Sequence, residues 1–229
     1  MSYTPREIYE GFLIRVNKND TNANVSIPVS QFVMIFNNQK RQWLDDKIKG
    51  KEGNDFIEDL SSLLMTDVTL ERISAGTNKD TFRLPSDFFR RVRCVSVASN
   101  GVCTGSVIVN WFVKPKDVNV RLTNEDLKPS FDYQESICVL TSEGIDVYKD
   151  GFTISKALLT YYREPKDLDI SGYVKIDGTQ SKDIAVDLDK FSIDEILDRT
   201  ALEAVRNYYD AAGVQLGQAR VQTSEGTVN

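Results

Sequence analysis

Residues 137–165 read ICVLTSEGIDVYKDGFTISKALLTYYREP, and this stretch decides the fold expected for the middle of the chain. Apolar residues recur at strand spacing over Ile137–Thr141, Gly144–Tyr148 and Thr153–Arg163, which predicts three strands. A glycine in each of the two short connections supplies the positive φ that tight hairpins need. The stretch is therefore predicted to form a β-meander, and its long last strand has apolar residues on both faces.

The two-residue period begins well before the meander. Val68, Leu70 and Ile73 alternate as in one strand, and further strands are predicted at Val92–Ala98 and Val107–Val113. One helical turn is expected at residues 123–127, just before the meander. We expect a small antiparallel sandwich or barrel-like sheet.

Two helices are predicted before this β-rich region. Thr4 and Glu7 form a capping box with Pro5 at the first helical position, so a helix should run from Pro5 to about Val16. A second helix opens at Pro28 and continues to about Lys49, with a long apolar stripe. At about 30 Å it is suited to packing lengthwise against another helix.

A last helix is predicted after an acidic linker. Ser192 and Glu195 form a second capping box, and Phe191 is expected to staple against Ile196. The apolar face continues to Gly213, a plausible C-terminal cap.

The predicted fold class is α+β: a helical bundle of two N-terminal helices and a C-terminal helix, with a large inserted antiparallel β-domain. The expected domains are residues 1–65, the first part of the bundle; 66–190, the β-rich insertion with its acidic linker; and 191–229, the last helix with a flexible tail.

Composition excludes several functions. The net charge of −6 argues against binding of duplex DNA by phosphate neutralisation. No apolar run is long enough to span a bilayer, and the N-terminus does not resemble a signal peptide. The chain has no histidine, which removes Ser-His-Asp and Cys-His catalysis and weakens a metal site. The three cysteines, Cys94, Cys103 and Cys138, are expected to be buried strand residues.

Carboxylates are concentrated in residues 166–198, where nine acidic residues stand against four lysines, a net −5. Asp194 and Glu195 could serve a histidine-free hydrolase, but the first turn of a helix favours acidic residues for structural reasons. Asp187 and Asp189 fit a solvated acidic edge better than calcium ligands, although their alternation keeps calcium open. Phe88 and Phe89 beside arginines suggest either a single-strand binding face or, more simply, core phenylalanines on a polar strand.

Three stretches in order resemble the head–tail joining proteins of tailed bacteriophages, the adaptor or ring proteins beneath the portal. They are LPSDFF at 84–89, LLTYYREPKDL at 158–168 and IDEILDR at 193–199. The sequence is most similar to such virion proteins of crAss-like and short-tailed phages.

The resemblance implies a structural protein without catalysis, cofactor or metal. It implies a homo-oligomer, commonly a twelve-fold ring, that docks on the portal and on neighbouring tail or ring proteins. DNA would pass through its channel without specific binding, and the protein would be assembled in the bacterial host cytoplasm and reside at the head–tail junction of the virion. The residues expected to make contacts are Phe32, Phe36, Lys40, Trp43, Asp187, Asp189, Tyr208 and Arg220. Part of 166–198 or the long second helix is expected to line the channel or face the portal, where negative charge would repel DNA phosphates.

Two other classes stay open. A β-module of the virion that binds a receptor or glycan would show exposed aromatic residues such as Trp111, Tyr133 and Tyr148. A cytoplasmic enzyme would depend on the Asp194 and Glu195 carboxylates.

Overall fold

The computed structural model describes residues 3–17, 27–49 and 58–208. These residues form a mixed α+β structure with four α-helices and one large curled sheet of eight strands. The helices are α1 (Pro5–Asn17), α2 (Val29–Lys49), α3 (Val118–Thr123) and α4 (Lys190–Tyr208). The strands are β1 (Leu64–Thr69), β2 (Arg72–Ala75), β3 (Lys79–Phe82), β4 (Phe88–Ser99), β5 (Ser106–Phe112), β6 (Glu135–Leu140), β7 (Ile145–Tyr148) and β8 (Thr153–Arg163).

The chain divides into two compact units. A helical unit holds the described parts of Met1–Gly53 and Pro165–Asn229, and a sheet unit holds the described part of Asn54–Glu164. The sheet is thus inserted between α2 and α4. Residues 165–190 group with the helices and not, as predicted, with the inserted domain.

The first two helices lie where the sequence predicts them. Thr4 N donates to the Glu7 carboxylate at 2.7 Å and Glu7 N donates to the Thr4 hydroxyl at 3.3 Å, which confirms the capping box. α1 buries Ile8 and Phe12. The rings of Phe12 and Phe32 lie 4.6 Å apart, so α1 packs against α2 through aromatic residues.

Ion pairs join α4 to both N-terminal helices. Arg15 of α1 binds Asp194 at 2.8 Å and Asp198 at 2.7 Å. Arg199 binds Asp46 of α2 at 2.7 Å. The acidic residues of this helix therefore have structural partners.

The beginning of α4 differs from the prediction. The helix starts at Lys190, and its N-cap is Asp189, whose carboxylate accepts from Ser192 N at 3.0 Å. Ser192 is buried in the first turn and donates its hydroxyl to the same carboxylate, and Phe191 is 67% exposed. The predicted Ser192 cap and Phe191 staple are wrong because the helix begins about three residues earlier.

The sheet order is β1-β8-β4-β5-β6-β7-β3-β2. The neighbours pair antiparallel except β5 and β6, which run parallel from Val109 opposite Glu135 to Phe112 opposite Cys138. The expectation of a wholly antiparallel domain is therefore wrong at one pair. A parallel pair needs a crossover, and the segment containing α3 supplies it.

The three strands of the 137–165 stretch are confirmed, but the meander is not. β6 and β7 pair, whereas β8 pairs with β1 and β4. Both edges of β7 are occupied, because β3 pairs on its other side and Lys149 N donates to Asn78 O at 2.9 Å. β8 therefore cannot pair with β7 and lies between β1 and β4 instead. There its residues Leu159, Tyr161 and Tyr162 are buried.

The single strand expected around residues 68–73 is two strands at opposite edges of the sheet. β1 pairs with β8, and β2 pairs with β3. Only Leu70 and Glu71 connect them, and Leu70 N donates to Ala157 O while Glu71 O accepts from Arg83 N. Because two residues join the two edges, the sheet has to curl back toward itself.

Two local predictions shift by a few residues. β4 starts at Phe88, before the predicted Val92, and the helix before β6 is Val118–Thr123, before the predicted turn. Phe88 packs 5.7 Å from the Tyr161 ring beside the core, while Phe89 is 37% exposed. Of the two phenylalanines expected in the core, only Phe88 contacts it.

Candidate interaction surfaces

Four residues that were expected to meet a partner lie on one face of α2. Phe32, Phe36, Lys40 and Trp43 each have 0% exposure. The rings of Phe32 and Phe36 lie 5.7 Å apart within the helical unit. The expectation of an exposed contact surface is corrected here, because these side chains form the interior of the unit.

Lys40 carries a charge into that interior and has a full set of acceptors. Its Nζ donates to the carbonyl oxygens of Pro165 at 3.0 Å and Lys166 at 2.8 Å, and to the Asp167 carboxylate at 2.6 Å. Three donors thus meet three acceptors, as a buried ammonium requires. Arg41 binds the other oxygen of Asp167 at 3.1 Å. Lys40 therefore attaches residues 165–167, which follow β8, to helix α2.

The two acidic candidates have structural partners. Asp187 is half-buried and accepts from Lys166 N at 2.9 Å. Asp189 is exposed and caps α4. Tyr208 is the last residue of α4, its side chain lies outside the described residues, and so does the whole of Arg220. The role expected for these last two stays a prediction.

The helical unit also contains a hydrogen-bonded loop that the sequence does not predict. Residues 169–184, called the tip loop below, are closed at the base by two hydrogen bonds between the backbones of Asp169 and Ile184, at 3.1 and 2.9 Å. Val174 and Gln180 form a bridge nearer the tip. The backbone of the loop is therefore fixed along its length.

A buried carboxylate organises the tip loop. Asp169 is 4% exposed, and it accepts from the Tyr173 hydroxyl at 2.9 Å, from Lys175 Nζ at 2.7 Å and from Lys182 N at 3.2 Å. Burial raises the pKa of Asp169, but the hydrogen bonds that its carboxylate accepts, the strongest from Lys175, lower the pKa by more than burial raises it. The pKa of Asp169 is therefore below its ordinary value. Burial and the bond to Asp169 raise the pKa of Tyr173 to about 12. The charged form of Asp169 thus stabilises the loop.

The tip of this loop presents apolar side chains to solvent. Ile176 is fully exposed and Val174 is 58% exposed. The turn after Ile176 is fixed by Asp177, whose carboxylate accepts from Thr179 N at 2.9 Å and from the Thr179 hydroxyl at 2.6 Å. Gly178 has a φ of +81°, which a turn at this position needs. An exposed isoleucine is therefore held in a defined position.

The sheet unit exposes a second apolar surface. On β5, Val107, Val109 and Trp111 are 52%, 42% and 50% exposed, whereas the alternate residues Ile108 and Asn110 are buried. The sheet therefore has an apolar stripe on its outer face. Exposed apolar patches often mark sites that bind a partner or a ligand.

Next to this stripe lies a cavity of about 270 Å³, called the Trp111 cavity below. Its lining is Trp111, Arg121, Leu127, Glu135, Ser136 and Ile137. Within the described part of the chain, Arg121 and Glu135 form no ion pair, and Glu135 is exposed. The cavity therefore combines an apolar wall with one positive and one negative group.

The aromatic residues expected on the sheet unit fall into two groups. Trp111 and Tyr133 are exposed, at 50% and 80%. Tyr148 is half-buried and packs beside the small cluster formed by Val113 and Val139. Trp111 lines the cavity described above.

The cysteines and acidic clusters do not form a metal site within the described ranges. No group of three or more Cys, Asp or Glu residues there could hold an ion. Cys94 and Cys138 are buried, as predicted, but Cys103 is exposed in a turn, which corrects the prediction for that residue. Burial raises the pKa of the Cys138 thiol.

No helix among residues 3–17, 27–49 and 58–208 is long and apolar enough to cross a membrane. Comparison with known protein families finds no family model that matches this chain. Comparison with curated proteins finds no significant match.

Proposed function

We propose that this chain is a structural virion protein that joins the portal of a tailed bacteriophage to its tail as a ring-forming adaptor. In this role α1, α2 and α4 act as a helical bundle, and the sheet unit is a module inserted into it. The protein has no catalytic step. Its rings extend the channel through which DNA leaves the head.

The observation that carries the proposal is that the three stretches on which the resemblance rests form hydrogen bonds and ion pairs that fix the fold. Asp87, from the first stretch, accepts from the Tyr161 hydroxyl at 2.8 Å, and its carbonyl accepts from Glu164 N at 2.7 Å. The second stretch continues into Pro165 and Asp167, which Lys40 binds. The first two stretches are thus in direct contact, as expected of a motif that defines an architecture.

The third stretch has the same character. Asp194, Glu195 and Asp198 of α4 pair with Arg15 and Lys47 of the N-terminal helices. These carboxylates therefore favour an architectural role over the hydrolase alternative. An adaptor needs such a fixed scaffold to present its contact surfaces.

The distribution of acidic residues also fits a DNA channel. Asp183 and Asp189 keep exposed carboxylates in the 166–198 segment, although Asp169 is buried. Exposed negative charge on a channel wall would repel phosphates and let DNA slide. We assign the lumen-facing role to this exposed subset.

The test is to mix the purified protein with portal rings from the same phage and image the product by electron microscopy. The expected result is a new layer of density with the symmetry of the portal. A well-folded protein that adds no density to the portal would refute the proposal.

The exposed Trp111 at its cavity favours one second candidate, a glycan-binding module of the same virion. Indole rings commonly stack on apolar faces of ligands. Titration with candidate glycans would then change the Trp111 fluorescence, measured in a Trp43→Phe background. Unchanged fluorescence across the panel would exclude the tested glycans.

A further inference from the structure

The tip loop and the Trp111 cavity both expose apolar side chains. The tip loop offers one fully exposed apolar side chain, Ile176, on a fixed turn. The cavity, at about 270 Å³, lies just below the range typical of small-molecule pockets. A space of this size suits an inserted side chain.

We propose that Ile176 of one copy of this chain inserts into the Trp111 cavity of a second copy. Its apolar contacts would be Trp111, Leu127 and Ile137, which line the cavity. Trp111 and Leu127 are 50% and 43% exposed, so both lose water when the cavity is filled. The contact deepens the proposed function by naming the interface that would build the ring.

One pair of opposite charges supports the tip loop as the occupant of the cavity. The tip places Lys175 before Ile176 and Asp177 after it, and the cavity presents Arg121 and Glu135. Asp177 forms no ion pair within the described residues, and neither does Arg121. Lys175 is already bound to Asp169 at 2.7 Å, so the pair that remains is Asp177 facing Arg121, opposite charges beside the buried isoleucine.

The two surfaces differ from each other, so the contact is head-to-tail. After one such contact, one copy still has a free tip loop and the other still has a free cavity. Head-to-tail contacts produce rings where the rotation closes and filaments where it does not.

A charge swap tests the pairing directly. Asp177→Arg and Arg121→Asp are made as separate proteins, and each should lose self-association because like charges then meet. Mixed in equal amounts they should associate again, because each tip loop now finds an opposite charge in the cavity of the other protein. Sedimentation equilibrium over a concentration series measures the average mass, and circular dichroism checks that each variant is folded.

Two further variants test the apolar part. Ile176→Asp should weaken self-association by at least about tenfold, because an apolar anchor is replaced by a charge. Ile14→Asp is the matched control, since Ile14 is 67% exposed on α1. That variant should associate as the natural protein does.

The outcomes separate this contact from the portal proposal. Natural protein that keeps the monomer mass at every concentration, or a charge-swap mixture that stays monomeric, overturns the contact. If Ile176→Asp still adds a complete layer to portal rings, the contact is wrong and the adaptor role stands. If the charge-swap mixture associates but the natural protein leaves portal rings bare, the contact is right and the adaptor role is wrong.

Discussion

Replacing Lys40 with methionine tests whether a single buried ammonium holds the helical unit together. The methionine side chain has a similar length, so the change removes three hydrogen bonds without opening a large cavity. The acceptors left behind are the carbonyls of Pro165 and Lys166 and the carboxylate of Asp167.

The expected cost follows from the burial of these acceptors. Pro165 is buried, so its carbonyl loses its partner without gaining water, at about 1–3 kcal/mol. Lys166 is exposed and the Asp167 side chain is 50% exposed, so water replaces part of what Lys40 supplied. We expect Lys40→Met to lower the free energy of unfolding by roughly 2–4 kcal/mol.

Urea unfolding followed by tryptophan fluorescence can measure this in one unit. The chain has two tryptophans, and Trp111→Phe leaves Trp43, buried in α2, as the reporter of the helical unit. Lys40→Met is compared with Arg41→Met in the same background. Arg41 is 57% exposed and binds the same carboxylate, so its replacement should cost less than about 1 kcal/mol.

A Lys40→Met protein within 1 kcal/mol of its parent would refute the reasoning. An equal loss in both variants would also refute it, because the effect would then come from the charge of Asp167 and not from the buried donor.

Three further predictions concern the tip loop, the sheet and the thiols. Asp169→Asn should raise the rate of amide hydrogen exchange across residues 169–184 at pH 7. Because the pKa of Asp169 is lowered in the folded protein, the natural loop should keep its protection above about pH 4 and lose it as the pH falls further. Unchanged protection of the Asp169→Asn loop at pH 7 would contradict this. Gly144→Ala should destabilise the sheet unit by at least about 2 kcal/mol in thermal unfolding, because the added Cβ would lie 2.0 Å from the Phe82 carbonyl oxygen. In the control Gly151→Ala the added Cβ meets no atom within 4 Å, and the variant should cost about 1 kcal/mol because alanine disfavours a φ of +70°. Equal losses in the two variants would count against the clash. Cys103 should be the one thiol that reacts rapidly with a thiol reagent in the native protein, with three reacting after unfolding; a second fast thiol before unfolding would show that the core opens.

The sequence predicts elements better than their partners. The strands at 137–163 are found nearly as expected because alternation and glycine turns are local signals. The pairing of β8 with β4 and not with β7 depends on residues more than 50 positions apart, such as Val97 opposite Lys156. No local pattern carries that information, so the sequence predicts a pairing of β7 with β8 that the structure does not have.

The candidate surfaces were predicted less well than the fold. An apolar stripe on α2 looks the same in sequence whether it faces a partner or the core, and the burial of Phe32 and Trp43 decides for the core. The sequence of the tip loop is acidic and contains glycine, so its composition is that of a linker. Its one usable signal was the isolated Ile176 before Asp177-Gly178, a turn pair next to an apolar residue.

The pairing of the first and last strands of the sheet has an evolutionary consequence. Leu64 of β1 lies opposite Tyr162 of β8, so the chain enters and leaves the sheet at adjacent points, with Cα atoms about 5 Å apart. A short glycine linker could therefore replace residues 64–162 without stretching the helical unit. The sheet is in effect an exchangeable module, and related chains could carry another domain in its place while keeping the same three helices.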